Sequence, residues 1–309
     1  MPSDRPTLSV VIPIFNERDA LETLFTRLAA TLEAMDTPWE IIAVDDGSTD
    51  GSREALREHH ARDGRIRVVL LSRNFGQSPA LYAGFSKARG RYVVMIDADL
   101  QNHPEDIPRL IEKLEEGHDM VSGMRVYRKD SLFRTTVSRW LNRYISAVTR
   151  VPLTDHGCSL KAFRRELVDR MLTLTHRCRY LPVDAAALGG RVTEIEVAHD
   201  ERGHGESKYG LLKLIRTAFD LITSITAAPL QFIGLVGWLF ALIGFIMALW
   251  VAYVRISQGD INQMGTVVAV FFMLSGCQLV ATGLMCEYIS RIYVEVQAKP
   301  YFVIQEELE

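Results

Sequence analysis

Two spacings of apolar residues alternate along the first 125 positions. Residues 8–15 (LSVVIPIF), 39–45 (WEIIAVD), 65–72 (RIRVVLLS) and 91–97 (RYVVMID) are short runs rich in β-branched side chains. Each run gives way to polar positions, the pattern of a strand buried on both faces. Between them, 17–35 (ERDALETLFTRLAATLEAM) and 77–90 (QSPALYAGFSKARG) carry apolar residues at helical intervals. Strand–helix alternation implies right-handed crossovers and a mainly parallel sheet. The predicted class is α/β: a Rossmann-like, mainly parallel sheet with helices on both faces. Ligands of such sheets bind beyond the carboxyl ends of the strands. Three of those ends carry polar clusters: PIFNE (13–17), VDDGSTD (44–50) and DADLQ (97–101).

Farther on the pattern changes. Residues 130–149 read as an amphipathic helix with Arg134, Arg139 and Arg143 among its apolar positions. A second alternating stretch, GGRVTEIEVAH, precedes the charged, glycine-punctuated DERGHGESKYG at 200–210. Residues 211–227 have a broad apolar face with basic residues on one flank, as expected of a helix lying in a membrane interface. Two nearly charge-free runs follow, 230–254 and 264–286, each longer than the roughly 20 residues that cross a bilayer core. The short connection RISQGDINQ makes them a hairpin. It has one basic residue, Arg255, against Lys208, Lys213, Arg216, Arg291 and Lys299 on the outer flanks. The positive-inside bias places the large domain in the cytoplasm.

Four regions are thus expected. They are a cytoplasmic domain at 1–208, a juxtamembrane helix at 209–229, two transmembrane helices within 230–289, and a cytoplasmic tail at 290–309. Gln278, inside the second run, suits a helix–helix contact and could support homo-oligomerisation. The first residues, MPSDRPTLSV, lack the basic and apolar segments of a signal peptide.

Composition narrows the partners. A net charge of −3 with 24% charged residues gives no global attraction for nucleic acid. The four cysteines (158, 178, 277 and 286) have no paired short spacing of the zinc-binding type. They read as free thiols in a reducing compartment.

The chemistry concentrates at the strand ends. Alternate residues leaving a strand face one way, so Asp97, Asp99 and Gln101 can converge on one point. Oxygen ligands of this kind suit Mg²⁺ or Mn²⁺, completed by waters and substrate phosphates. The plainer alternative is a polar turn capping the next helix, with Asn102 or His103 before Pro104. The place beyond a buried parallel strand favours the metal. In VDDGSTDGS, Ser48, Thr49 and Asp50 are good N-cap residues and Gly47 serves a turn. Asp45 and Asp46 add acceptors suited to a nucleobase N–H or a ribose hydroxyl. No G-x-G-x-x-G follows the first strand and no G-x-x-x-x-G-K-[ST] occurs, which counts against dinucleotide and P-loop sites.

The ordered set VVIPIFNE, DDGSTDGS, LSRNFGQSPALYAGF, DADLQNHPEDIPRLI, DSLFR, DHGCSLKAFRR and GESKYG, followed by two apolar runs, resembles family 2 glycosyltransferases of the polyprenyl-phosphate type. Within that group the chain most resembles the bacterial undecaprenyl-phosphate 4-deoxy-4-formamido-L-arabinose transferases. Dolichol-phosphate mannose synthases and bactoprenol glucosyltransferases are more distant. The resemblance spans essentially the whole chain. It implies a GT-A fold, a UDP-sugar donor, a divalent cation and an undecaprenyl (polyprenyl) phosphate acceptor at the bacterial inner membrane.

Carried over by position, the metal motif falls on Asp97, Asp99 and Gln101. Nucleotide contacts fall on Pro13, Glu17, Asp45, Asp46 and Asp97. The acceptor-phosphate region matches Arg125, Arg128 and Arg134. A mobile loop over the donor diphosphate matches Arg202, Ser207 and Lys208, and Ser207 is grouped with the acceptor phosphate. Asp155 matches an acidic residue near the acceptor. His156 stands where close relatives carry Tyr, and Asp184 where an apolar residue is expected. Both departures bear on the identity of the sugar.

The implied reaction is inverting: a lipid-phosphate oxygen attacks the anomeric carbon and the nucleoside diphosphate leaves. A phosphate monoester is largely ionised at neutral pH, so Asp155 is expected to orient rather than to act as an obligate base. Asp99, Arg202 and Lys208 complete the expected catalytic set. His199 and His204, in the charged loop, are expected to be solvated. Other donors, UDP-glucose or UDP-galacturonic acid, fit the same motifs. A processive synthase does not, because Q-x-x-R-W is missing and two spans are too few for a channel. A non-catalytic nucleotide-sugar-binding scaffold is the alternative of another class.

Overall fold

The computed structural model describes residues 6–125, 151–174 apart from 152 and 156, 180–200, 264–297 and 299–309, with residue 146 and scattered positions between 233 and 257. Arg128, Arg134, Arg139, Arg143, His156, Cys178, Arg202, His204, Ser207, Lys208 and the segment 211–227 lie outside the described residues. So does most of the first apolar run.

Eight strands form one sheet. In chain order they are β1 (Leu8–Ile14), β2 (Trp39–Asp45), β3 (Ile66–Leu71), β4 (Tyr92–Met95), β5 (Met120–Arg125), β6 (Lys161–Arg164), β7 (Val192–Val197) and β8 (Ile304–Leu308). Their order across the sheet is β7-β5-β6-β4-β1-β2-β3-β8. The pairs β3–β2, β2–β1, β1–β4 and β5–β7 are parallel, whereas β6 runs antiparallel to both neighbours and β8 runs antiparallel to β3. The four parallel strands at the centre are those legible from the apolar runs.

Side-chain alternation divides the core into two layers. Val10, Ile12 and Ile14 of β1 pack with Leu21, Leu24 and Leu28 of α1 (Arg18–Ala34) and Leu110 of α4 (Ile107–Glu115). Val11, on the opposite face, packs with α3 (Gln77–Lys87) and α5 (Arg165–Leu172). Burying each such aliphatic side chain contributes about 1.5–3 kcal/mol. Helix α2 (Ser52–Arg62) follows β2 and carries buried Leu56, and α6 (Leu181–Ala187) leads toward β7. The N-cap of α2 is Gly51 rather than Ser48, Thr49 or Asp50. Asp50 still serves the helix start, accepting the Ser52 N–H at 3.0 Å and the Arg18 N–H at 3.1 Å.

The chain divides into two compact units, residues 1–208 with 300–309, and residues 209–299. The last ten residues, set apart in sequence only as a tail, therefore belong to the sheet-bearing unit through β8. Tyr301 meets the ring of Tyr82 edge-on at 5.8 Å. The second unit contains α7 (Met264–Val296), which includes the charge-free run 264–286. Among the described residues no helix is long and apolar enough to cross a membrane.

Candidate active site

The site is assembled by loops that leave β1, β2 and β4 at one edge of the sheet. After β1, Asn16 takes a left-handed backbone (φ 57°), a conformation Asn tolerates better than most residues. Its side-chain oxygen accepts the Thr49 N–H at 2.8 Å, and its own N–H donates to Ser48 Oγ at 3.0 Å. The loops after β1 and β2 are thereby tied together. Gly47 (φ +77°) approaches the next loop so closely that a Cβ would lie 2.4 Å from the Asn74 nitrogen. No other residue fits there.

The two adjacent aspartates of that loop have different tasks. Asp45 is fully buried and receives Arg53 Nε at 2.6 Å and the Gly47 N–H at 3.2 Å. Asp45, expected as a nucleotide contact, is not among the residues lining the neighbouring cavity, and these bonds shape the loop. Asp46 does line the cavity. Its two oxygens accept the Phe75 and Gly76 N–H groups at 2.7 and 2.8 Å. Burial pushes its carboxyl above the usual range, opposed by those two backbone donors.

That cavity, of about 370 Å³, is lined by Pro13, Glu17, Asp46, Gln77, Asp97 and Asp99 among others. It stands beyond the carboxyl ends of parallel strands, where the α/β rule puts a ligand. Strand β4 ends at Met95, so Asp97 and Asp99 share the cavity through the turn that follows and not through strand alternation. Leu100, left-handed at φ 62°, redirects the chain immediately afterwards. Gln101, expected as a third ligand, does not line the cavity; its N–H donates to Asp99 Oδ1 at 3.2 Å.

Asp97 accepts Gln77 Nε2 at 2.6 Å. Its carboxyl is raised above the ordinary range by burial and then by the neighbouring charge of Asp99, against hydrogen bonds from Ser159 and Gln77. Two mutually repelling carboxylates in a polar cavity fit a divalent cation, which would relieve that repulsion. Among the described residues no group of three His, Cys, Asp or Glu side chains could hold a metal ion. Two carboxylates are sufficient for Mg²⁺ or Mn²⁺ when waters and substrate phosphates complete the shell.

A smaller cavity of about 190 Å³ shares Gln77 and Asp97 with the first. Ser159, Lys161 and Tyr180 contribute its polar lining. Burial pushes the Tyr180 phenol well above its usual range, so it stays protonated, and burial likewise raises the Cys158 thiol. Nearby in sequence, Asp155 is 5% exposed and forms a bidentate pair with Arg125, Oδ2 to Nε at 2.7 Å and Oδ1 to Nη2 at 2.9 Å. His199 forms an antiparallel bridge with Asn102. Asn102 Nδ2 donates to Ser159 Oγ at 2.7 Å, so this residue braces the turn rather than capping a helix. Gln77, Ser159 and Lys161 fall within the segments LSRNFGQSPALYAGF and DHGCSLKAFRR that carry the family resemblance, but neither they nor Tyr180 have an expected role in the site. Asp184 is buried in α6 and accepts from the Tyr82 hydroxyl at 3.3 Å.

Comparison with known proteins adds to this geometry. Residues 9–172 match the family described as Glycosyl transferase family 2. The chain is 42% identical to an undecaprenyl-phosphate 4-deoxy-4-formamido-L-arabinose transferase of Aeromonas hydrophila, over 98% of this chain and 94% of that one. It is 44% identical to the protein of the same name in Yersinia enterocolitica, over 97% and 93%. Among solved structures, a mycobacterial protein superimposes with a TM-score of 0.51 at 21% identity, covering 71% of this chain and 73% of that one. A glucosyl-3-phosphoglycerate synthase from Mycobacterium tuberculosis, in complex with Mn²⁺, UDP and glucosyl-3-phosphoglycerate, is similar at a TM-score of 0.47 and 23% identity, over 71% and 78%. The chain belongs to glycosyltransferase family 2, and it is a glycosyltransferase with the α/β GT-A fold.

Proposed function

We propose that the protein transfers 4-deoxy-4-formamido-L-arabinose from its UDP donor to undecaprenyl phosphate, with inversion, at the cytoplasmic face of a bacterial inner membrane. The observation that carries this reading is the cavity in which Asp46, Asp97 and Asp99 meet at the carboxyl edge of the sheet. It is supported by identities of 42–44% to transferases of that name over nearly the whole chain.

In this reading Pro13, Glu17 and Asp46 hold the nucleoside, and Asp97 and Asp99 hold Mg²⁺ or Mn²⁺. The cation, when bound, stabilises charge developing on the leaving diphosphate. Arg202 and Lys208 add basic groups there. Arg125, with Arg128, Arg134 and Ser207, receives the acceptor phosphate. The bidentate contact of Asp155 fixes the guanidinium plane of Arg125, and this supports an orienting role for the carboxylate. The acceptor arrives already ionised and needs no base.

A membrane hairpin at 230–254 and 264–286 would hold the site at the lipid headgroups. Two observations support it. Helix α7 exposes Phe271, Leu279, Val280 and Ile292, a hydrophobic display rare on a soluble surface. The polypeptide both leaves and re-enters the sheet-bearing unit, through residues before 209 and through β8. Any membrane crossings between those points are therefore even in number.

The test is transfer by the purified full-length chain from a panel of UDP-sugars to undecaprenyl phosphate, read by mass spectrometry. Transfer from the formamido-arabinose donor, abolished by EDTA and by Asp99→Asn, is the expected result. Transfer from UDP-glucose or UDP-galacturonic acid alone would reassign the sugar. UDP binding without transfer of any sugar would favour a scaffold.

A further inference from the structure

Lys161 is an ammonium-bearing side chain in the middle of an apolar sheet. It lies in β6, opposite Met95 of β4 and Ser122 of β5, and is 4% exposed. A lysine so buried ordinarily has a counter-charge or hydrogen-bond partner. Lys161 makes no hydrogen bond or close ion pair with a described residue, and the charges of Asp155 and Asp97 only partly offset its desolvation. Each of those carboxylates has a closer partner of its own, Asp155 in Arg125 and Asp97 in Gln77. What Lys161 does reach is the 190 Å³ cavity.

The chemistry of that cavity suits a sugar ring. Ser159, Lys161 and Tyr180 supply polar groups, and Leu81, Met95 and Pro182 supply apolar surface. A pyranose has the same division, with C–H faces and a polar rim. The cavity meets the nucleotide cavity at Asp97 and Gln77, so a group attached to a diphosphate beside Asp97 can project into it.

We propose that Lys161 is a positioning and specificity residue for the transferred sugar, donating to a substituent that carries a hydrogen-bond acceptor, such as an amide carbonyl. This rests on the functional reading above and deepens it. A sugar bearing a free ammonium in place of the amide would present only donors to the donors of Lys161, and is disfavoured.

The experiment uses the full-length protein and the variants Lys161→Met and Lys161→Arg. Binding of UDP, of the UDP-formamido-arabinose donor and of its free-amino counterpart is measured by calorimetry without acceptor, and transfer is measured in parallel. Lys161→Met is expected to keep the UDP affinity of the wild type. Its affinity for the formamido donor falls about 10- to 100-fold, the effect of losing one charge-assisted hydrogen bond, and the preference over the amino donor narrows. Its melting temperature is unchanged or raised, because an apolar side chain replaces a buried amine that is costly to desolvate. Lys161→Arg keeps a cation with a different reach, so UDP affinity stays and the ratio between donors shifts.

Equal loss of UDP and UDP-sugar binding, or a lower melting temperature with donor preferences unchanged, would assign Lys161 a structural role and overturn the proposal. Wild-type protein that binds UDP and transfers no sugar defeats the functional reading alone. The binding comparison then still decides the case: a preference for UDP-sugar over UDP that Lys161→Met abolishes supports the proposal, and an unchanged preference overturns it.

Discussion

Arg125 and Asp155 face each other as a fork on a carboxylate, at 2.7 and 2.9 Å, with side-chain exposures of only 17% and 8%. The pair joins the end of β5 to the segment before β6, across 30 residues of sequence. Removing one member of a buried pair leaves the other charge uncompensated and costs about 3–5 kcal/mol. Asp155→Ala is therefore expected to lower the melting temperature as well as turnover. In a double-mutant cycle with Arg125→Lys the losses are expected to be strongly non-additive. If Asp155→Asn reduced turnover as much as Asp97→Asn while leaving stability intact, the orienting role would give way to a base.

The legible part of this protein is the part dictated by local pattern. β2 was readable to the residue because WEIIAVD is buried throughout and bounded by turn chemistry. β5, β6 and β8 were not. MVSGMR contains a glycine and KAFR is four residues long, and each is a strand only because the sheet pairs it. IQEEL is highly charged, and its register is set by basic partners in distant elements. At the site the acidic residues announced themselves, and Gln77, Ser159 and Lys161 did not. A glutamine at a helix start and a lysine in a short strand have ordinary solvated readings, which only the Gln77 hydrogen bond to Asp97 and the burial of Lys161 beside a cavity remove.

Gln77 is the outer support of the proposed metal site, holding Asp97 at 2.6 Å. Residues that orient a metal ligand in this way typically matter by about 10- to 100-fold in metal affinity. Gln77→Ala is expected to raise the Mg²⁺ or Mn²⁺ concentration needed for half-maximal transfer by that order. Saturating metal should restore most of the rate. A variant whose rate is low at every metal concentration would place Gln77 on the sugar instead.

The C-terminal strand is held by charge. Arg67, with 6% side-chain exposure, binds Glu40 at 3.0 Å, Glu307 at 3.2 Å and Glu309 at 3.0 Å. Lys87 also pairs with Glu307, and Arg89 with Glu309. Deleting residues 300–309 would open the β3 edge and strip Arg67 of two carboxylates, and an open edge is prone to pairing with other chains. The truncated protein is expected to unfold at lower temperature and to aggregate, as scattering during a thermal ramp would show. Glu40→Ala acts on the same guanidinium from the buried side and is expected to destabilise by about 3 kcal/mol. Retention of the wild-type melting temperature by both variants would mean that the sheet edge is closed by other contacts.

His59 gives stability a pH dependence. It lies in α2 at 9% exposure, its ring centroid 4.6 Å from that of Phe25, with Glu22 at 3.5 Å from Nε2. Burial lowers its pKa below the ordinary 6.5, and the charge of Glu22 only partly opposes this. The unfolded chain therefore binds a proton more readily than the folded one. The stability associated with neutral His59 is present above about pH 6.5 and is lost as pH falls toward the lower folded value. His59→Leu removes the titrating group while keeping an apolar side chain beside Phe25. Its melting temperature is expected to fall less than that of the wild type between pH 7.5 and 5.5. Parallel pH profiles for the two proteins would show that His59 protonates in place without cost, and the acid sensitivity would then belong to other groups.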